Sequence, residues 1–151
     1  MKRIVSALLA LAASATLVFV VTSWKHGVTP VHAQGGCSVA TLTGNYAFIQ
    51  PGWAPLKSQG NQLPFFNMGV IAFDGTGNFS VSLTGVAHGV VSNETDAGTY
   101  TVNPDCTGSF SITTGPAAGL TFNMAIIGGG AEIFGINTTA GFTSSFDAKK
   151  Q

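Results

Sequence analysis

Residues 97–111, which read AGTYTVNPDCTGSFS, contain the strongest local signal for the fold. Gly98, Tyr100 and Val102 occupy alternate positions, which is the side-chain period of a β-strand with one covered face. The sequence Asn103-Pro104-Asp105 follows, and its proline and short polar side chains favour a tight turn. After the turn, apolar and small polar residues alternate again. This stretch therefore predicts a β-hairpin.

The same alternation recurs along the rest of the chain and is interrupted by turn residues. The sequence Asp-Gly-Thr-Gly at 74–77 is the strongest hairpin turn, and glycine-rich turns follow at 115–116 and 128–130. Two stretches lack a clear strand pattern, a long connection at 51–64 and a looser segment at 89–96. The predicted strands outside the central hairpin are 42–50, 65–73, 78–87, 120–127, 131–138 and 142–147.

The fold class follows from these strands, because no segment has the period and the capping residues of a helix. The chain is predicted to be all-β, with seven or eight strands joined mostly by tight turns. Short connections make neighbouring strands antiparallel, and a meander of this length must close or fold over to remove its edges. We predict an antiparallel up-and-down β-barrel of about eight strands. A two-sheet β-sandwich is the alternative, favoured if the long connection crosses between sheets.

The N-terminus has the pattern of an export signal. Two basic residues precede an apolar run at 4–21, and the small residues expected before a cleavage site end at Ala33. We predict a signal peptide at 1–33, followed by one β-barrel domain at 34–151 that is secreted or periplasmic. Because the apolar run is long enough to attempt a membrane span, a retained signal anchor is the alternative. Contact with a membrane is expected only in that case.

The charge of the predicted domain argues against a nucleic-acid partner. Three bases accompany six acids, so the net charge is close to −3. A protein that binds nucleic acid needs a basic face to replace counterions, and the sequence of this domain offers none. The bases are Lys57, Lys149 and Lys150, and the acids are Asp74, Glu94, Asp96, Asp105, Glu132 and Asp147.

The predicted domain contains two cysteines, Cys37 and Cys106. In an oxidising compartment such a pair is expected to form one disulfide, which would tie the start of the first strand to the central hairpin. Closing a loop of this length restricts the unfolded chain by about 4 kcal/mol. A lipid-attachment cysteine is a weaker alternative, because residues 34–36 lack the expected apolar residue. A metal site is weaker still, since His88 is the domain's only histidine.

The sequence carries no catalytic signature that identifies an enzyme. None of its serines lies in a Gly-x-Ser-x-Gly sequence, and one histidine would have to serve any triad. Oxygen side chains alternate along 74–78 as in calcium loops, but the further carboxylates of such loops are lacking, so a hairpin turn is expected. We therefore predict no metal site and no cofactor.

Glu132 is the one weak catalytic candidate, because it lies in an otherwise apolar strand. If Phe134 and Ile136 point inward, Glu132 also faces the interior, where burial would raise its pKa and suit it to acid or base catalysis. The opposite phase places Ile133 inside and Glu132 in water. The second phase is favoured, and both remain open.

Aromatic side chains are predicted to occupy the interior of the barrel. An eight-stranded barrel is just wide enough to hold one small ligand, so these side chains either pack as a solid core or surround a pocket. Tyr46 and Tyr100 would supply polar groups inside such a pocket. The predicted ligand-binding residues are Tyr46, Phe73, Tyr100, Phe122 and Phe134.

Three stretches carry a resemblance to known proteins: LTGNYAF at 42–48, FDGTGNFS at 73–80 and GTYTVNPDCTG at 98–108. They resemble a group of small exported bacterial proteins of unassigned activity, whose arrangement is similar to calycin-type barrels, including the allene oxide cyclase-like barrel. The resemblance implies an apolar ligand site or, more remotely, a cyclase-like reaction in a shaped lumen. Its motifs are turns and strands, so no catalytic residue is carried over.

Three functions are consistent with these features. The first is an exported protein that binds a small hydrophobic molecule in the barrel interior. The second is a structural or surface-interaction protein with a filled core. The third is a cyclase or isomerase that uses the lumen and Glu132. Because the sequence has no catalytic signature, an enzyme is the less favoured interpretation. An interior void lined by Tyr46, Phe73 and Phe122 would separate the first function from the second.

Overall fold

The computed structural model describes residues 36–55 and 61–151, and the predicted signal peptide lies outside these residues. The described residues form a short 3₁₀ helix, Val39–Thr41, followed by eight strands. Among them, no helix is long and apolar enough to cross a membrane. The strands are β1 (Thr43–Pro55), β2 (Gln62–Asp74), β3 (Asn78–Ala87), β4 (Val90–Val102), β5 (Thr107–Thr114), β6 (Thr121–Ile127), β7 (Glu132–Asn137) and β8 (Thr143–Lys150).

The eight strands form one closed antiparallel barrel in sequence order. Each strand pairs with the next, and β8 returns to β1, where Phe48 lies opposite Ala148. Closure leaves no strand of the sheet with an unpaired edge, which removes the main route by which sheets aggregate. The predicted up-and-down barrel is confirmed. The two-sheet sandwich is wrong, because β1 and β8 are hydrogen-bonded into the same sheet.

The connection predicted at 51–64 is shorter than expected, because two strands extend into it. β1 continues to Pro55, and β2 begins at Gln62. Proline lacks an N–H donor and normally interrupts a strand ladder. The strand continues through Pro51 because the β1–β8 ladder skips this position. Proline therefore marks a gap in the pairing on one side of β1, and the strand continues beyond it.

The segment predicted as a loose connection at 89–96 belongs almost entirely to β4. A two-residue turn, His88-Gly89, joins β3 to β4, and its residues have φ of 54° and 74°. Two successive positive φ angles are typical of a type I′ hairpin turn, whose twist matches that of the paired strands. The β-branched residues Val90 and Val91 then begin the strand, as their β-propensity favours.

Aromatic rings fill the half of the interior that lies nearer the start of β1. Phe73 makes edge-to-face contacts with Tyr46 and Tyr100, with ring centroids 5.4 and 5.0 Å apart. Deeper in the barrel, Phe110 stacks on Phe122 with centroids 4.6 Å apart. Such contacts add to the free energy gained by burying the rings. The alternation predicted along the strands thus produces one continuous aromatic core.

One end of the barrel is sealed by the 3₁₀ helix and by the β2–β3, β4–β5 and β6–β7 connections, and we call it the sealed end. The Tyr46 hydroxyl donates to the carbonyl oxygen of Gly130 at 2.6 Å. The Tyr100 hydroxyl lies 2.9 Å from the carbonyl oxygen of Val39 and 3.0 Å from that of Leu42. Both tyrosines therefore join the strands to the chain that covers this end.

Cys37 and Cys106 form the predicted disulfide at the sealed end, with their Cα atoms 5.0 Å apart. The backbone N–H of Cys37 also donates to the carbonyl oxygen of Pro104 at 3.2 Å. The bond fastens the segment before the 3₁₀ helix to the β4–β5 turn, across a sequence separation of 69 residues. A disulfide of this kind is consistent with a location outside the cytoplasm.

Candidate functional site

A cavity of about 540 Å³ lies inside the opposite end of the barrel, near the β3–β4, β5–β6 and β7–β8 connections. We call this the cavity end. Its volume falls within the range of about 300–1,000 Å³ that is usual for small-molecule sites. Most of the lining is apolar. The phenylalanines that line the cavity are Phe48, Phe65, Phe110, Phe122, Phe142 and Phe146.

The interior is hollow at this end because several inward-facing residues are small. Ala54 on β1 and Gly85 and Ala87 on β3 line the cavity. At the other end of the same two strands, the inward-facing residues are Tyr46 and Phe79, which carry rings. A Cβ atom at Gly85 would lie 2.6 Å from Oδ1 of Asn67, so the neighbouring amide occupies part of the space that a side chain would need. Ala54 and Ala87 thus leave room that the aromatic core does not fill, whereas Gly85 makes space for the Asn67 amide.

A chain of hydrogen bonds crosses one wall of the cavity. Asn67 on β2 donates from Nδ2 to Oε1 of Gln50 on β1 at 3.1 Å. Gln50 in turn donates from Nε2 to Oγ of Ser144 on β8 at 3.2 Å. The three side chains hold one another in place, and each buried amide has a partner, as buried polar groups require. The cavity therefore has a fixed polar strip on an otherwise apolar wall.

Asp96 on β4 is the most deeply buried polar residue of the cavity wall, with 2% of its surface exposed. Its Oδ1 atom accepts a hydrogen bond from the backbone N–H of Ala117 at 2.9 Å. This bond fixes the β5–β6 connection over the cavity. A Cβ atom at Gly115, whose φ is +97°, would meet Oδ1 of Asp96 and the carbonyl oxygen of Thr95, so only glycine allows this close approach.

The second carboxyl oxygen of Asp96, Oδ2, is buried and has no hydrogen-bond partner among the described residues. Glu94 lies two residues earlier on the same face of β4 and also lines the cavity. Its Oε1 atom accepts a hydrogen bond from the Ser92 hydroxyl at 2.8 Å. One wall of the cavity therefore carries two acidic residues, whose Cα atoms are about 7 Å apart along the strand.

The structure divides the predicted ligand-binding residues among three places. Phe122 lines the cavity. Tyr46, Phe73 and Tyr100 are interior residues, as predicted, but they pack at the sealed end and do not line the cavity. A role for these four residues in ligand binding stays a prediction.

The predicted interior position of Phe134 is wrong. Its side chain lies on the outer surface of β7 and is 44% exposed. Ile133 is fully buried in its place, so β7 has the opposite phase to the one that would have put Phe134 inside. Apolar side chains on both faces of this strand left its phase open in the sequence.

The same phase places Glu132 on the outer surface. Its Oε1 atom lies 3.1 Å from Nζ of Lys149, in an ion pair whose side chains are 27% and 67% exposed. This contact raises the pKa of Lys149, first through the hydrogen bond to Glu132 and then through the carboxylate charges nearby. Of the two orientations predicted for Glu132, the outward one is observed. The cyclase hypothesis thereby loses its candidate acid or base.

The turn at 74–78 uses its carboxylate internally. Asp74 accepts hydrogen bonds from the backbone N–H groups of Thr76 and Asn78 at 2.7 and 3.0 Å, and from both of their side chains. These bonds hold the pKa of Asp74 well below its usual range. Within residues 36–55 and 61–151, no group of three or more His, Cys, Asp or Glu side chains is arranged to hold a metal ion.

Sequence reasoning missed Glu94 and Asp96 as site residues, although a signal for them exists. The inward phase of Tyr100 continues backward through every second residue of β4 and reaches Asp96, Glu94 and Ser92. Because residues 89–96 were expected to form a loose segment, the alternation of inward-facing residues was not extended through them. Comparisons of the chain with protein-family models, with curated proteins and with solved structures find no match.

Proposed function

We propose that the protein binds a small, predominantly apolar molecule inside the barrel, at the cavity end. The observation that carries the proposal is the cavity of about 540 Å³ beside the aromatic core. The apolar side chains that line this space face solvent on the cavity side, so they forgo part of the free energy that burial would give. A barrel that served only as a scaffold would gain stability by filling this space with larger side chains.

The architecture and the disulfide support the wider proposal of an exported ligand-binding barrel. A closed barrel of eight antiparallel strands is compatible with a calycin-like protein, and barrels of this size can enclose one small ligand. The Cys37–Cys106 disulfide fits a secreted or periplasmic protein, in which thiols become oxidised. The N-terminal signal predicted at 1–33 belongs to the same proposal.

Titration with the neutral fluorescent dye N-phenyl-1-naphthylamine tests the proposal. We expect a saturable rise in fluorescence with one dye bound per chain. Ala87→Trp should weaken this binding at least about tenfold, because Ala87 lines the cavity and indole would fill part of it.

The matched control is Ser80→Trp, which adds the same ring to the exposed outer face of the same strand. It should bind the dye as the native protein does. Absence of saturable binding to the native protein would refute the proposal, as would equal binding by both tryptophan variants.

Surface interaction is the second candidate function, and an apolar strip on the outside of the barrel favours it. Ile49 lies opposite Met68 on the β1–β2 ladder, and Phe66 lies opposite Val86 on the β2–β3 ladder. Val91 continues the strip on β4. All five side chains are exposed. Light scattering over a range of concentrations tests this candidate, since association through the strip would raise the apparent mass and Met68→Lys would reverse the rise.

A further inference from the structure

The described lining of the cavity contains acidic side chains but no basic ones. Its lining includes the carboxyl groups of Glu94 and Asp96, and no lysine, arginine or histidine is among the lining residues that the structure describes. His88 lies in the exposed turn between β3 and β4 and is not part of the lining. Among the described lining residues these two acids have no cationic partner, and burial strengthens the interaction of each charge with its surroundings.

One of these acidic groups has a buried oxygen atom without a hydrogen-bond partner among the described residues, Oδ2 of Asp96. Oδ1 is engaged by the backbone N–H of Ala117, whereas Oδ2 is buried without a donor. Within the described residues two other buried side-chain atoms lack a partner, Nδ2 of Asn137 and Oδ1 of Asp147, and neither residue lines the cavity. A buried acceptor without a donor costs free energy, and a charged donor would recover most of it.

The aromatic lining also favours a positive charge. Phenylalanine rings present electron-rich faces that attract ammonium groups within about 6 Å. Phe48, Phe110 and Phe122 line the same cavity as the two acids. An anionic ligand would find no positive partner among the described lining residues, and it would be repelled by Glu94 and Asp96.

From these observations we propose that the ligand is an apolar amine, whose protonated nitrogen binds the carboxyl groups of Asp96 and Glu94 while its hydrocarbon part occupies the phenylalanine-lined space. This inference rests on the proposed function and specifies the ligand class for the same cavity. Oδ2 of Asp96 accepts from the ammonium group. Glu94, two residues earlier on the same face of β4, adds a second negative charge.

A matched series of three probes tests the proposal: 6-phenylhexylamine, 6-phenylhexan-1-ol and 6-phenylhexanoate. They share one hydrocarbon part and differ in the charge of the end group at pH 7. Calorimetric titration of the native protein should show that the amine binds at least about tenfold more tightly than the alcohol, the usual gain from a hydrogen bond between charged groups. The carboxylate should bind more weakly than the alcohol.

Asp96→Asn keeps the shape of the side chain and an acceptor for Ala117 but removes the charge. We expect its affinity for the amine to fall most of the way to that for the alcohol, because only the charge of Glu94 remains, while its affinity for the alcohol stays the same. Glu94→Gln should lower the preference for the amine by a smaller factor. Because Glu94 does not anchor the β5–β6 connection, this variant also tests the proposal if Asp96→Asn fails to fold.

Glu132→Gln is the matched control, since it removes one negative charge from the outer surface and leaves the cavity unchanged. It should retain the full preference for the amine. Equal binding of amine and alcohol by the native protein, or tightest binding of the carboxylate, would overturn this inference and leave apolar binding in place. Failure of all three probes and of the neutral dye would overturn the proposed function as well.

Discussion

The two ends of the barrel handle buried polar groups in opposite ways. At the sealed end, the hydroxyl groups of Tyr46 and Tyr100 reach backbone carbonyl oxygens, and aromatic packing fills the surrounding space. At the cavity end, Asp96 lies beside unfilled volume and keeps one oxygen without a donor. The same strands thus surround a packed aromatic core with bonded hydroxyl groups at one end, and a cavity with one unpartnered carboxyl oxygen at the other.

This difference separates stability from binding along one molecule. The disulfide, the tyrosine hydrogen bonds and the internally bonded turn at 74–78 all lie at the sealed end. Groups that a ligand would use lie at the other end, where small side chains leave space. A site with unpaired polar groups lowers stability, so the packed end compensates for it.

Of the changes considered, removing the disulfide should lower the free energy of unfolding most. In the double variant Cys37→Ser, Cys106→Ser, the free energy of unfolding should fall by about 4 kcal/mol, because the unfolded chain regains the freedom of a long loop. Urea unfolding measures the loss. Dye binding by the folded fraction should be unchanged, since the bond is at the sealed end. An unaltered unfolding midpoint, or a folded variant that no longer binds dye, would contradict the separation of the two ends.

Removing a hydroxyl at each end sharpens the comparison. Tyr100→Phe should lower the free energy of unfolding by about 2 kcal/mol, because the carbonyl oxygen of Leu42 loses its donor and that of Val39 keeps only the backbone N–H of Leu42. Ser92→Ala also removes one hydroxyl, from a partly buried hydrogen bond at the cavity end, and should cost less than about 1 kcal/mol. Chemical denaturation of both variants provides the measurement. A larger loss for Ser92→Ala would reverse the assignment of stability.

High pH should lower the free energy of unfolding through the two tyrosines of the sealed end. This effect should be smaller than those of the preceding substitutions. Burial raises the pKa of Tyr46 and of Tyr100, with their mutual interaction adding to the shift at Tyr46. The unfolded chain ionises near pH 10, so stability is complete below that pH and is lost as pH rises above it. Because the chain has two tyrosines, absorbance near 295 nm follows them directly. Ionisation of the folded protein at or below the pH found in concentrated guanidinium chloride would contradict the burial of these groups.

Much of the fold could be predicted from local sequence. Alternating side chains identify the strands, the turn residues at 74–77 and 103–105 place two hairpins, and the cysteine pair indicates the disulfide. Short connections then favour an up-and-down barrel. The ends of β1 and β2 were less predictable, because proline at position 51 resembles a strand terminator unless the missing partner on β8 is known.

The site was harder to predict because it depends on several strands together. In β7, Ile133 competes with Phe134 and Ile136 for the interior, and local periodicity cannot choose between two apolar faces. The cavity depends on small residues on different strands, such as Ala54 on β1 and Ala87 on β3, which a single strand does not reveal. Asp96 was predictable only by extending the phase of Tyr100 through the preceding segment.

The most direct test of a ligand site inside the cavity end is a chemical-shift map of the ¹⁵N-labelled protein during titration with 6-phenylhexylamine. Saturable shifts are expected at the amides of Asp96, Ala117 and Gly85, which surround the cavity end. Amides around Cys37 and Cys106 should stay unchanged. Shifts centred on the outer strip at Phe66 and Met68, or on the sealed end, would contradict a ligand site inside the cavity end of the barrel.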